Sequence, residues 1–154
     1  MTRVSETIEI RTPLAQVFNY AVNYRNATKF IASVTLYEPA SETARGIGAR
    51  FAMEITIRDF RFTQEVEVVE LQENTLLAVR SISGQPFSEA SWRFAAGAGA
   101  TKVTYEIAYT LPDVFLGRKI TEASRRQIDK QIRADVKQSL TKLRTLLEGS
   151  QAGR

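Results

Sequence analysis

The sequence predicts an α+β fold, an antiparallel sheet with one long amphipathic helix laid against it. Three observations carry this. Between Ile31 and Leu111 apolar and polar residues alternate at a period of two, the pattern of strands with one buried face. Beyond Leu111 the spacing becomes three and four, placing Ile128, Ile132, Val136, Leu140, Leu143, Leu146 and Leu147 on one side of a helix at about 100° per residue. The strand-like segments are joined by turns too short for a parallel crossover, so consecutive strands must be antiparallel neighbours.

Taken in order, Val4, Glu6, Ile8 and Ile10 alternate with Ser5, Thr7 and Glu9 in a half-buried first strand. Thr12-Pro13 punctuates it, with threonine placed to cap a short helix and proline at its first position. That helix carries Leu14, Val17, Phe18 and Ala21 on one face, and Asn23 to Lys29 reads as a second short turn or helix. Strands follow over residues 31–37, 50–58, 60–71, 75–82, 87–95 and 101–111, separated by the small and polar loop 38–48 and by turns at Asp59, Glu73-Asn74, Gly84-Gln85-Pro86 and 96–100. The final helix is expected to run from Leu111 to Leu147, with Pro112 and Asp113 suited to its first turn, Gly117 placed to break off an initial turn, and Gly149 suited to its C-terminal cap. Residues 1–149 are read as one domain and Ser150 to Arg154 as a disordered tail.

At 154 residues the chain can bury a substantial core without covalent staples. It has no cysteine, so disulfides and thiolate chemistry are excluded, and no histidine, so imidazole bases and histidine-ligated zinc are excluded too. Nothing calls for a metal or an organic cofactor. No run approaches the roughly 20 apolar residues of a membrane span, and the N-terminal residues lack the apolar core of a signal peptide, so a soluble cytoplasmic protein is expected.

The charge of +4 is uneven: ten basic and four acidic residues lie from Arg118 to Arg154, against eleven and thirteen before them. Lys119, Arg126, Lys130, Arg133, Lys137 and Arg144 form one helical stripe, which reads first as a solvated face and second as a docking face for an acidic partner, nucleic acid or an anionic membrane surface. No aromatic residue interleaves it, so nucleic acid is not expected.

The order of elements, together with local phrases, resembles the helix-grip superfamily of START-like lipid-transfer domains, pollen-allergen-like proteins and polyketide cyclase/dehydratase proteins. The phrases are Val4-Ser5-Glu6-Thr7-Ile8-Glu9-Ile10 with Thr12-Pro13 and Val17-Phe18, then Gly46-Ile47-Gly48-Ala49-Arg50-Phe51, Trp92-Arg93-Phe94 and Gly99 to Tyr105. Phe30 stands where the pattern usually has tryptophan, and Ala49 where threonine is common. The resemblance implies a curved seven-stranded antiparallel sheet gripping the long helix, two short helices between strands 1 and 2, and an apolar cavity for a lipid-like, polyketide-like or aromatic molecule. It implies no shared catalytic residue, so function must be argued from the site.

The inward faces of these strands supply an apolar lining of Phe51, Met53, Ile55, Phe62, Val66, Leu77, Val79, Trp92, Phe94, Val103 and Ile107, closed by Ile128 and Ile132 of the helix. Glu6, Gln64, Ser81, Tyr105 and Tyr109 interrupt that face with polar groups. Arg125 shares the helix face of Ile128 and Ile132, so it is expected at the cavity mouth, meeting an acidic group of the ligand or Glu6, unless its head reaches water along the sheet rim. Binding or carriage of a small hydrophobic molecule is the first reading. A cyclase or dehydratase working through a buried carboxylate such as Glu6, or through Tyr105 or Tyr109, is the second. A module that binds a partner through the basic helix face is the third. A monomer or homodimer is expected.

Overall fold

The structure is a computed structural model that describes residues 1–152, with side chains through position 149. Seven strands form one sheet: β1 (Thr2–Ile10), β2 (Val34–Pro39), β3 (Arg50–Ile57), β4 (Phe60–Gln72), β5 (Leu76–Gly84), β6 (Phe87–Gly97) and β7 (Ala100–Thr110). Every neighbouring pair is antiparallel and the order is β1-β7-β6-β5-β4-β3-β2, a meander from β2 to β7 with β1 added beside β7. Between β1 and β2 lie α1 (Leu14–Val22), a 3₁₀ turn (Tyr24–Asn26) and α2 (Ala27–Phe30). The helix-grip arrangement expected from the sequence is the one observed.

Alternation builds each strand as the sequence requires. In β4 Phe60, Phe62, Gln64, Val66 and Val68 are buried, whereas Arg61 and Thr63 face water. Bulges after Glu65 and after Val68 shift the β4–β5 register, which bends the sheet where it must curl. At the end of β5 the backbone makes a close approach that admits only glycine: Gly84 has φ +83°, and a Cβ there would stand 2.1 Å from the Thr63 carbonyl oxygen.

The C-terminal helix departs from expectation at both ends. Residues 111–121 are not helical; they carry a small hairpin of β8 (Val114–Phe115) and β9 (Arg118–Lys119), and α3 spans Glu122–Ala152. The reason is local: Leu116 and Gly117 both take positive φ, +50° and +76°, which turns the chain back on itself. Thr121 then caps the helix, its Oγ1 accepting the Ser124 N–H at 3.1 Å. Lys119 therefore precedes the helix and does not extend its basic stripe. Gly149 lies within α3, whose span runs to Ala152, and caps nothing; the tail expected over Ser150 to Arg154 lies outside the residues whose side chains are described. At α1 the expected threonine cap is absent as well: the helix begins at Leu14 behind Pro13, and Thr12 uses its carbonyl to accept the Thr101 hydroxyl at 2.7 Å.

Along α3, Ile128, Val136, Leu140, Leu143 and Leu147 are buried against β1 and β7, while Leu146 is 38% exposed and lies off that face. At the far edge of the sheet Ser139 ties the helix to the chain entering β2, accepting the Ala32 N–H at 2.9 Å and donating to the Asp135 carbonyl at 2.7 Å. Thus α3 bridges both edges of the curled sheet. Among the described residues no helix is long and apolar enough to cross a membrane.

Candidate functional site

The core forms in two parts. One joins α3 and α1 to β1, β6 and β7; the other gathers Ala49, Phe51, Val66 and Val68 on β3 and β4, with Tyr24 and Tyr37 packed on it. Between the parts lies a cavity of about 470 Å³. That is far more than the ~10–15 Å³ one water requires and falls inside the ~300–1,000 Å³ of small-molecule sites. Met53, Ile55, Leu77, Val79, Ala90 and Ile107 line this cavity and remain only half-buried. Large side chains that could have filled the space are held aside. Trp92 lies flat on Tyr105 with ring centroids 3.7 Å apart, and Phe62 is covered by Phe115 of the β8–β9 hairpin at 4.7 Å.

Twelve of the residues picked from the sequence line the cavity. They are Phe51, Met53 and Ile55 of β3, Val66 of β4, and Leu77, Val79 and Ser81 of β5, with Trp92 of β6, Tyr105, Ile107 and Tyr109 of β7, and Ile132 of α3. Seven are not in its wall, among them Val103, which is fully buried in the core. Phe62 belongs to the plug beneath the hairpin, and Phe94 packs edge-on against Phe18. Ile128 is enclosed in the core, and Gln64 is buried with its amide donating to the Pro86 carbonyl. Glu6 sits at the sheet edge, 3.9 Å from Lys137.

Arg125 neither reaches the cavity nor pairs with Glu6. Its guanidinium donates to the Pro112 carbonyl at 2.8 Å and to Asp113 Oδ1 at 3.0 Å, because the unwound 111–121 segment folds over the first turn of α3 and offers these acceptors. Nor is it beside the tyrosines: the Tyr109 hydroxyl donates to Asp129 instead.

The polar part of the wall comes mainly from residues the sequence reading passed over. Asp135 and Ser139 line the cavity from α3, facing Ser33, whose hydroxyl donates to Asp135 Oδ2 at 2.5 Å; Gln131 donates to that same hydroxyl at 3.2 Å. Their signal was faint but present: positions 135 and 139 lie three and seven after Ile132, on the flank of the apolar stripe. Tyr37 and Tyr105 complete this corner, stacking on Phe51 at 4.8 Å and on Trp92 respectively. Burial raises the Asp135 carboxyl above its usual range, with the Ser33 and Gln131 hydrogen bonds and Lys142 opposing. Burial also pushes Tyr37 and Tyr105 up, the nearby Asp135 charge adding to the effect on Tyr105. Tyr109 is raised by burial and then by its bond to Asp129. The other charged side chain in the wall is Arg45, exposed on the β2–β3 loop. The corner can therefore offer donors and a carboxyl to a guest otherwise enclosed by hydrocarbon.

Comparison with solved structures places this architecture among many relatives. The Thermus thermophilus protein TTHA0849 superposes with a TM-score of 0.80 at 16% identity, over 97% of this chain and 99% of that one. An aromatase/cyclase, Zhui, from a Streptomyces species gives 0.76 at 11% identity, over 96% and 93%. The di-domain aromatase/cyclase StfQ of the steffimycin biosynthetic pathway gives 0.72 at 14% identity, covering 99% of this chain and 52% of its own. At these identities the likeness is one of fold. No curated protein matches the sequence. The family model described as polyketide cyclase/dehydrase and lipid transport matches residues 1–148, and the chain belongs to that family.

Proposed function

We propose that this protein binds one small, largely apolar molecule in the cavity between sheet and α3. The observation that carries the reading is the half-buried state of six inward-facing residues around about 470 Å³ of space. In a filled core those side chains would be in van der Waals contact with the helix. A ligand that displaces water from them gains about 25 cal/mol per Å² of apolar surface covered. Orientation comes from the corner of Ser33, Tyr37, Tyr105 and Asp135. With Arg125 held by Pro112 and Asp113, an acidic group on the ligand has Arg45 at the rim as its nearest cationic candidate in the wall, whereas a hydroxyl donor fits Asp135.

The test is native mass spectrometry after incubation with an extract of small apolar metabolites. One retained compound per chain, lost in Ala90→Trp, is expected. Equal retention by that variant, with its sheet intact by circular dichroism, would refute the reading.

A second reading is favoured by one observation, the raised carboxyl of Asp135 against Ser33 and beside Tyr105. A carboxyl lifted by burial can hold a proton for an oxygen leaving a bound chain, or take one from carbon, as a dehydration or cyclisation needs. Asp135→Asn separates the two readings. For an enzyme it abolishes turnover while leaving substrate binding within a few-fold; for a carrier there is no turnover to lose.

A further inference from the structure

Seven large apolar side chains of the described residues are exposed, and five of them gather at one end of the sheet. That end holds the start of β1, the β3–β4 and β5–β6 turns and the β7–α3 connection, as the pairings Thr2↔Tyr109, Ile57↔Phe60 and Phe87↔Thr110 require. Met1 precedes β1, Ile82 and Phe87 flank the β5–β6 turn, and Val114 and Leu116 form the β8–β9 hairpin. Leu116 is 84% exposed and Val114 57%. Both project from a hairpin whose middle residue, Phe115, is anchored on Phe60 and Phe62 at 6.4 and 4.7 Å. A rigidly based tip that presents leucine to water is costly unless something covers it.

The charges around the tip say what that is. Arg118 and Lys119 follow Leu116 after Gly117, Arg118 lying 5.5 Å over the Phe60 ring, and Arg58 is exposed on the adjoining β3–β4 turn. Arg126 and Lys130 are exposed on the first turns of α3. Opposing them are Asp59, Glu122, Asp113 and Asp129; Asp113 is engaged by Arg125 and Asp129 by Tyr109. Apolar residues that can enter a bilayer interface, bordered by arginine and lysine at headgroup level, match the chemistry of an anionic lipid surface. We infer that this end of the molecule docks on anionic membranes through Val114 and Leu116, with Arg118 and Lys119 contacting the lipid headgroups. The inference is independent of what the cavity holds.

The test is co-sedimentation with vesicles of phosphatidylcholine alone and of phosphatidylcholine with about one-third phosphatidylglycerol. Binding to the anionic vesicles only is expected, weakening about tenfold in Arg118→Ala/Lys119→Ala and in high salt, and falling below detection in Val114→Asp/Leu116→Asp. These side chains are outside the core, so thermal unfolding and apolar-probe binding without vesicles should be unchanged in both variants. Absence of binding to anionic vesicles, or binding kept by Val114→Asp/Leu116→Asp, would overturn the inference. So would a dimer of the wild-type chain that the same variant dissolves, since the patch would then be covered by a second copy.

Discussion

Replacing Ala90 by isoleucine asks whether the space under α3 is empty, because the sign of the stability change depends on it. Ala90 sits on β6 between Val79 and Ile107, faces the cavity and is half-buried. Isoleucine adds three carbons. At about 0.8 kcal/mol per buried methylene these are worth up to ~2.4 kcal/mol if fully withdrawn from water. They enter an open-sided space, so about 1–2 kcal/mol of stabilisation is the expected result. In a solid core the same substitution forces neighbours off their rotamers and costs about 1–3 kcal/mol. The two outcomes differ in sign and are separated by at least ~2 kcal/mol, or roughly 4–8 °C in Tm for a chain of this size. Urea unfolding followed by far-ultraviolet circular dichroism reads the difference directly. The same variant should weaken binding of an apolar probe by occupying part of its volume. A loss of 1 kcal/mol or more in stability would show that Ala90 does not face open space.

Other perturbations probe the frame and the polar corner. Ser139→Ala strands the buried Ala32 N–H and should cost about 1–3 kcal/mol in urea unfolding; a change under 0.5 kcal/mol would mean α3 is not tied to the β2 edge through this contact. Asp135 has a raised pKa in the folded state, so the fold binds its proton more tightly than the unfolded chain does, and stability falls as pH rises through the carboxylate range. Asp135→Asn should therefore be more stable than the wild type at neutral pH, the gap closing toward about pH 4 and below; destabilisation confined to neutral pH would contradict this. Tyr37, Tyr105 and Tyr109 ionise later when folded than when unfolded, so stability is kept below about pH 10 and lost above it. Absorbance titration should show these three resisting ionisation until the chain unfolds, and ionisation of all five tyrosines near pH 10 without unfolding would be the contrary result.

Strands were legible because alternation is a strong signal wherever one face is buried. Phe51, Met53, Ile55 and Ile57 against Arg50, Glu54 and Arg58 leave little choice of register. The start of α3 was legible only as an alternative, because Pro112 and Asp113 are good first-turn residues, and what overrules them is a two-residue turn at Leu116-Gly117, at the break Gly117 allowed, with Phe115 packed on Phe62. Arg125 misled for the same reason: its partners come from a loop that a continuous helix would not contain. Asp135 and Ser139 were missed because a polar residue on the flank of an apolar stripe reads as solvent-facing. Only the approach of Ser33 from the opposite edge makes it a wall. The apolar side of the site thus followed from periodicity, while its polar corner depended on contacts about a hundred positions apart in the chain.

Trp92 is the single tryptophan, buried at the wall of the cavity, and it makes the central claim measurable in one titration. Adding 1-anilinonaphthalene-8-sulfonate and exciting at the tryptophan band should give saturable energy transfer at one probe per chain, and the emission of the directly excited probe should be suppressed in Ala90→Trp. Transfer that rises without saturation, or a direct probe signal unchanged in that variant, would mean that no guest enters the space between sheet and helix.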